Sequence, residues 1–541
     1  MKKKKRNNRG NRRNPNKIKK KVVMDREVFK IELGKVSGNH IGKTILVQGL
    51  LERIIQTPGP TLFALNDGTG SLMLKGFISP GERAFPDIND GDCIEAKVKL
   101  KEYNEAFEGE IMKIESLTGA RKAKVRQKID DVLRERSKAR NPGFMVESKI
   151  LEKLEDRFVK VATEIKMAVL QNRPIIVRHH NDADGYASGY ALEKAIVPLI
   201  DKHHGGGKSV WEFFTRAPCS APFYEIDDSI RDTANSLRNV AKFSNKMPLV
   251  VIADNGSNDQ DLFAIQQGKV HGMDFIVIDH HYFEKDVISE EVLVHINPFL
   301  VGEDGQKFSA GMLCSELARF ISDVENVEQI AAMSGMADRI DIMNPGAVNQ
   351  YVELAGKQGY DKKLLADIAT VIDFVSAKLR FMEAREYIEV LFGEPREKQK
   401  KLVGLMAPYI KDLERKGLEM AKQGATTEKK GSVVLQLLDI ENSLPGFGFY
   451  PKPGKTVGML HDWIQKSGKD SVVTMGVMPS AITIRATDKA NFSVHELIKE
   501  IEKKLPGAFV NGGGHKNAGS INFVPGKKDD VMKVVRGFVG K

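Results

Sequence analysis

The stretch Ile276-Val277-Ile278-Asp279-His280-His281 decides how this chain is read. An apolar run suited to a buried strand stops at one acid and two imidazoles, groups that are costly to bury unless something binds them. Metal is the obvious candidate. Two earlier runs end in the same way: Ile175-Ile176-Val177-Arg178-His179-His180-Asn181-Asp182-Ala183-Asp184, and Leu249-Val250-Val251-Ile252-Ala253-Asp254. Helical patterns follow each of them, at Ala187 to Ile200, Gln260 to Gln267 and Ser309 to Val324. Strands alternating with helices predict a parallel, doubly wound sheet, in which ligands gather beyond the carboxyl ends of the strands.

Working outward, the whole architecture is predicted to be multidomain, since 541 residues exceed a single core. Residues 1–24 form a basic tail with almost nothing to bury, expected to be disordered. Residues 36–120 break into five short strands separated by turn chemistry such as Asp67-Gly68-Thr69-Gly70, which predicts a small β-barrel. Residues 121–172 carry helical spacing and form a basic linker, interrupted at Pro142-Gly143. The α/β domain spans 173–344, a charged helical spacer spans 345–430, and a smaller α/β domain fills 431–541.

Hydrophobic residues at 41% and charged ones at 29% suit a globular protein, and no apolar run approaches the roughly 18 residues of a membrane span. A membrane role is therefore not expected. The lysines at the N-terminus precede no apolar segment, so no secretory signal peptide is read there. Cys93, Cys219 and Cys314 lack CxxC spacing, which points to a reducing cytoplasm and away from cysteine-bound zinc.

Charge is concentrated. Twelve Lys/Arg fall in residues 1–21 with no acid, so the chain's net +11 leaves the remainder at −1. Residues 121–140 hold nine more against Asp130, Asp131 and Glu135. Two such patches suit a polyanion, because neutralising phosphates releases counterions. A solvated arm accounts equally well for the tail, and a charged helix surface accounts better for residues 121–140.

Taken singly, the candidate ligands say little. A lone Asp-x-Asp is usually a solvated turn, and a lone His-His pair is more often structural. Together with Asp338 in Gly335-Met336-Ala337-Asp338-Arg339-Ile340-Asp341, they make four sites in fixed order, which chance seldom produces. Asp182 and Asp184 are two apart around the small Ala183, with Gly185 next, so both carboxylates can face one pocket. Several carboxylates in one cleft repel and protonate unless divalent cations neutralise them. Mixed Asp and His ligands favour Mn²⁺ over Mg²⁺ or Zn²⁺, and a pair of ions can drive phosphate ester hydrolysis.

The motifs HHNDADGYASG, VIADNGS, VIDHH and ADRID resemble those of the DHH phosphoesterase superfamily, and NGGGHKNAGS resembles the signature of its accessory domain. Within it, the chain resembles the RecJ-like single-strand exonucleases, particularly the archaeal ones. Likewise FALNDGTGSLMLKGF resembles OB-fold domains of nucleic-acid enzymes. The resemblance implies a two-metal centre in which Asp254 bridges both ions, Asp182 holds one of them, and Asp184, His280 and Asp338 hold the other. His180, or alternatively His179, would complete the first ion's ligands. Asp341 is the rival to Asp338. His281 would contact phosphate, and Asp279 would orient a histidine. In the accessory domain Gly512, Gly513, Gly514, His515 and Arg485 would bind the substrate. Phe63, Phe77 and Tyr103 are the barrel's candidates for stacking on bases.

The implied activity is single-strand exonuclease action on DNA or RNA, with replication or repair proteins as further partners. A phosphodiesterase for short oligonucleotides or cyclic dinucleotides, and a nuclease-like scaffold subunit, are the other two expectations.

Overall fold

The computed structural model describes residues 28–103, 106–204, 209–243, 246–379, 384–446 and 449–540. The basic tail lies outside the described residues. Two compact units divide the chain, one ending at Leu133 and the other starting at Arg134.

The first unit is a closed barrel. Its strands are β1 (Phe29–Lys30), β2 (Thr44–Gln56), β3 (Thr61–Asn66), β4 (Ser71–Gly76), β5 (Cys93–Tyr103) and β6 (Ala106–Ser116). Neighbours run in the order β1-β2-β3-β4-β6-β5, and β2 also pairs with β5, so the five long strands close an OB-like ring. Alternation along the strands sends Ile45, Val47, Leu65, Leu74, Ala96 and Val98 inward. Phe63 belongs to that inward set and is fully buried, which corrects its assignment as a base-stacking ring. Phe77 and Tyr103 are 62% and 59% exposed, as a stacking role requires. One face of the Tyr103 ring already carries the Lys75 ammonium, 4.6 Å from its centre.

The helix Gly119–Ser137 begins after the last barrel strand, and Ile129 and Leu133 are buried. Its basic residues are partly neutralised: Arg121 pairs with Glu95 and Glu115, and Lys128 with Glu32. That matches a charged helix surface.

In the second unit, β7 (Ile175–His179), β8 (Phe214–Pro218), β9 (Leu249–Ala253), β10 (Asp274–Ile278) and β11 (Val294–Ile296) form an all-parallel sheet in the order β11-β10-β9-β7-β8. Both faces are covered. Leu249, Val251 and Ala253 enter a core shared with helices Lys149–Leu170, Ala183–His204 and Ala310–Ile321, while Val250 and Ile252 face Tyr224, Ala264 and Ile265 on the other side. Burial on both faces explains why these strands read as unbroken apolar runs. Ser148 Oγ caps the first of those helices by accepting from Ile150 N at 3.2 Å.

The C-terminal sheet is mixed: β12 (Ala425–Lys430), β13 (Val433–Asp439), β14 (Val472–Val477), β15 (Ala481–Ala486), β16 (Asn511–His515) and β17 (Ala518–Asn522), in the order β12-β13-β14-β15-β17-β16. The helical stretch before it ends at Gly424, six residues short of the expected boundary, because Ala425–Lys430 pairs with β13 as an edge strand. Gly512, Gly513 and Gly514 lie within β16.

Candidate metal centre

Three neighbouring parallel strands, β7, β9 and β10, end at the same level. Backbone bonds carry the pairing one residue beyond the sheet: His180 N donates to Ala253 O (3.3 Å), Asp254 N to Ile278 O (2.9 Å) and Asp279 N to Ile296 O (2.9 Å). The polar residues that follow each apolar run are thereby brought side by side. Asp254 sits at φ 62°, a left-handed conformation unusual for an aspartate and characteristic of functional sites.

Two clusters form there. In the first, His180 Nδ1 lies 2.9 Å from Asp182 Oδ2 and 3.5 Å from Asp254 Oδ2. In the second, His280 Nε2 lies 3.4 Å from Asp254 Oδ1, 3.5 Å from Asp338 Oδ2 and 3.9 Å from Asp184 Oδ2. Asp254 touches both, one oxygen to each. His179 is elsewhere: it is fully buried and packs edge-on against Tyr186. Asp341 joins none of the carboxylate–imidazole clusters among the described residues, whereas Asp338 does.

These donors fit divalent cations. Burial and the neighbouring charges of Asp254 and Asp338 push the Asp184 carboxyl well above its ordinary range. Burial pulls His180 and His280 down, yet the surrounding carboxylates overcome it and raise both well above the usual imidazole value. Among the described residues, none donates a hydrogen bond to the buried Asp254 Oδ2. Acids forced to hold protons, and an oxygen with no donor, are what a cation would relieve.

The remaining ring atoms are oriented by their neighbours. His280 Nδ1 bonds Gly305 O at 3.1 Å, which leaves Nε2 for the cluster. Asp279, completely buried, accepts from His280 N and His281 N and holds His281 Nδ1 at 2.8 Å. His515 stacks on His281 with ring centres 4.9 Å apart, and burial, followed by the charges of His281 and His280, keeps it neutral. β16, which carries His515, is tied to the parallel-sheet domain by Gln260 Nε2 donating to Gly512 O. Arg485, on β15, lines with His180, Asp182, Asp184 and Asp338 a cavity of about 570 Å³. Its hydrogen bond is to Ile484 O.

Several supporting residues carry no motif. Asp184 is gripped by the amides of Ala310 and Gly311, each 3.0 Å away at a helix N-terminus, and by Ser334 Oγ. A Cβ at Gly305 would lie 1.9 Å from His280 O, and one at Gly185 would lie 2.1 Å from His180 O. The Ser309-Ala310-Gly311 helix start is visible in the sequence as a cap, but nothing there shows that it faces Asp184.

A solved structure described as the DHH domain of a member of a family of ribosomal proteins aligns at 35% identity with a TM-score of 0.73, covering 77% of this chain and 98% of that one. The chain belongs to the DHH-domain family. An uncharacterised protein of Methanocaldococcus jannaschii is 35% identical over 94% of this chain and 71% of its own length. RecJ from Thermus thermophilus, solved in complex with Mn²⁺, shares the fold of this DHH-domain protein at 16% identity and a TM-score of 0.50, across 76% of this chain and 58% of that one. No protein-family model matches the chain.

Proposed function

We propose that this protein is a divalent-metal phosphodiesterase, acting as a RecJ-like exonuclease on single-stranded DNA or RNA. The observation that carries the reading is the shared Asp254: one carboxylate with an oxygen toward each of two His/Asp clusters. His180, Asp182 and Asp254 would hold one ion, and Asp184, His280, Asp338 and Asp254 the other, with Mn²⁺ favoured by the mixed donors. Bound ions supply an activated water and charge stabilisation for in-line displacement at phosphorus.

The chain's own residues do the positioning. Arg485 presents a guanidinium to the cavity wall beside Asp338, suited to a phosphate oxygen. His281, fixed by Asp279, and His515, stacked upon it, offer ring nitrogens to the same group. A strand clamped between the two sheets of this unit has its reacting phosphate placed, which converts affinity into rate. The barrel, with exposed Phe77 and Tyr103, supports a polymer as substrate, since a small diester has no use for stacking rings.

The test is product analysis on end-labelled single-stranded DNA and RNA of both polarities, with Mn²⁺, Mg²⁺ and Zn²⁺ compared. Stepwise mononucleotide release from long strands is expected. Consumption of a dinucleotide while long strands survive would replace this reading with that of a short-oligonucleotide phosphodiesterase. Truncating both Phe77 and Tyr103 to Ala should weaken long-strand binding by about 1–3 kcal/mol per stacked base, with little effect on dinucleotides.

A further inference from the structure

Three buried polar side chains beside Asp279 and His281 have no part in the metal centre: Ser257, His295 and Asn297, none more than 2% exposed. Uncharged polar groups are costly to bury unless they find partners, and these find one another. His295 lies on the edge strand β11 and Asn297 just beyond it in extended backbone, so a spacing of two sets both on one side of the chain. Both meet Ser257, which follows the turn at Asp254. His295 Nε2 is 2.9 Å from Ser257 Oγ, and Asn297 Nδ2 donates to the same oxygen at 3.0 Å.

The Asn297 amide is fixed in orientation, because its Oδ1 accepts from Phe299 N at 3.1 Å. Its nitrogen therefore serves both Ser257 and His281 O, the latter also at 3.0 Å. One buried amide thus ties the chain after His280 to the chain after Asp254. The protons can be followed further. Burial pulls His295 down to about 4, so the ring is neutral and donates from one nitrogen only, with Ser289 Oγ 3.0 Å from Nδ1. Ser257 has one proton to give. Asp279 holds the His281 ring through Oδ1, while its buried Oδ2 has no hydrogen bond of full geometry among the described residues. Burial opposes the Asp279 charge; the His281 ring favours it most, and the Ser257 hydroxyl is close enough to add to that. The orphan carboxylate oxygen is the acceptor that draws the Ser257 proton, which leaves His295 Nε2–H and Asn297 to donate to the serine oxygen.

We propose that Ser257, held by His295 and Asn297, is a positioning residue for His281: its hydroxyl steadies the Asp279 carboxylate that grips the ring, and Asn297 anchors the main chain of the same residue. With Nδ1 kept on Asp279, the nitrogen left to meet a phosphate is Nε2. This rests on the phosphodiesterase reading, which puts His281 at the phosphate, and extends it to residues outside the Asp-His-His run.

The experiment is a double-mutant cycle on cleavage of single-stranded DNA under Mn²⁺, combined with nitrogen-15 histidine spectra of the metal-free protein. Ser257→Ala should lower kcat/KM about tenfold, the worth of one hydrogen bond to a charged group. In a His281→Ala background, where the residue it positions is gone, the same change should cost less than about twofold. His295→Gln, which keeps an amide donor for Ser257, should retain most of the activity that His295→Leu loses. In the spectra, the His281 Nδ1 proton should exchange with water about tenfold faster in Ser257→Ala and in His295→Leu than in the wild type. Equal losses in both backgrounds, or unchanged exchange, would reduce Ser257 to a structural support and overturn the proposal. His295→Gln as damaging as His295→Leu would overturn the part assigned to His295. If the wild type cleaves no phosphodiester, the phosphodiesterase reading fails, and the exchange rates decide whether Ser257 positions His281.

Discussion

The two ligand clusters share Asp254 and differ in how they are held. Around His180 and Asp182 the side chains are 24% and 36% exposed, and the Asp182 carboxylate takes one amide, Gly185 N at 2.9 Å. Around Asp184 and His280 exposure falls to 2% and 1%, and Asp184 is fixed by two helix-terminal amides and a serine. Asp184 and His280 are buried, while Asp338 of the same cluster is 32% exposed and borders, with Asp184, the cavity that His180 and Asp182 line. In the proposed two-metal centre, the more buried donors would suit an ion that stays and the more exposed ones an ion that meets substrate.

The largest effect should come from the residue the clusters have in common. Asp254→Ala removes an oxygen from both, so hydrolysis under Mn²⁺ should fall by at least about 10³-fold. Circular dichroism should show the fold intact, because Asp254 lies beyond β9 rather than within it. A variant that keeps turnover, or loses only one of two metal-binding steps, would break the claim that the clusters form one centre.

How much of this is legible in the sequence follows the same division. Each apolar run and the acid ending it can be read, because a strand buried on both faces leaves a sharp composition edge. The choice between His179 and His180 cannot. Strand alternation decides it, sending His179 into the core beside Tyr186 while His180 has already left the sheet. Asp338 and Asp341 look equivalent on the assumption of one continuous helix. Arg339 at φ 60° interrupts it, so the two acids do not share a face. Phe63 fails as a stacking ring because its register within β3 points inward, which pattern alone leaves open. Ala425–Lys430 reads as helix for another reason: an edge strand guarded by charge, Thr-Thr-Glu-Lys-Lys, lacks the apolar signature of the strands it borders. The support for Asp184 depends on Ala310, Gly311 and Ser334, more than a hundred residues away, and no local signal reports such a contact.

The buried cluster's support has a consequence for stability. Glu316 lies on the helix whose first amides hold Asp184, and it is fully buried. Burial pushes its carboxyl up to about 7, against the hydrogen bonds from Tyr351 Oη and Met145 N that favour the charge. The native state therefore binds this proton more tightly than the unfolded chain does. Stability from this group is complete below the unfolded value near 4.5 and is lost as pH rises through 7. At about 1.4 kcal/mol per unit the loss is about 3 kcal/mol. Melting curves of Glu316→Gln between pH 5 and 8 should show that slope removed. An unchanged slope would show that the helix gripping Asp184 carries no such strain.

The smallest effect discriminates most finely between the clusters. Asp182→Asn and Asp184→Asn each exchange one charged oxygen for an amide, yet they act on differently held ions. With Asp184 fixed by amides, its replacement presents an NH₂ group, or a weakened acceptor, to donors that cannot move, and Mn²⁺ binding should weaken toward the upper end of the range of about 10–100-fold for ligand-shell changes. Asp182 is held by one amide and by His180 at a more exposed position, so its replacement should fall at the lower end. Calorimetric Mn²⁺ titration of the wild type should resolve a tighter and a weaker step, with Asp182→Asn moving only the weaker one. If Asp182→Asn weakened the tighter step instead, exposure would be a poor guide to which ion is resident. The rigid grip on Asp184 would then serve to keep mutually repelling carboxylates in place before either ion arrives.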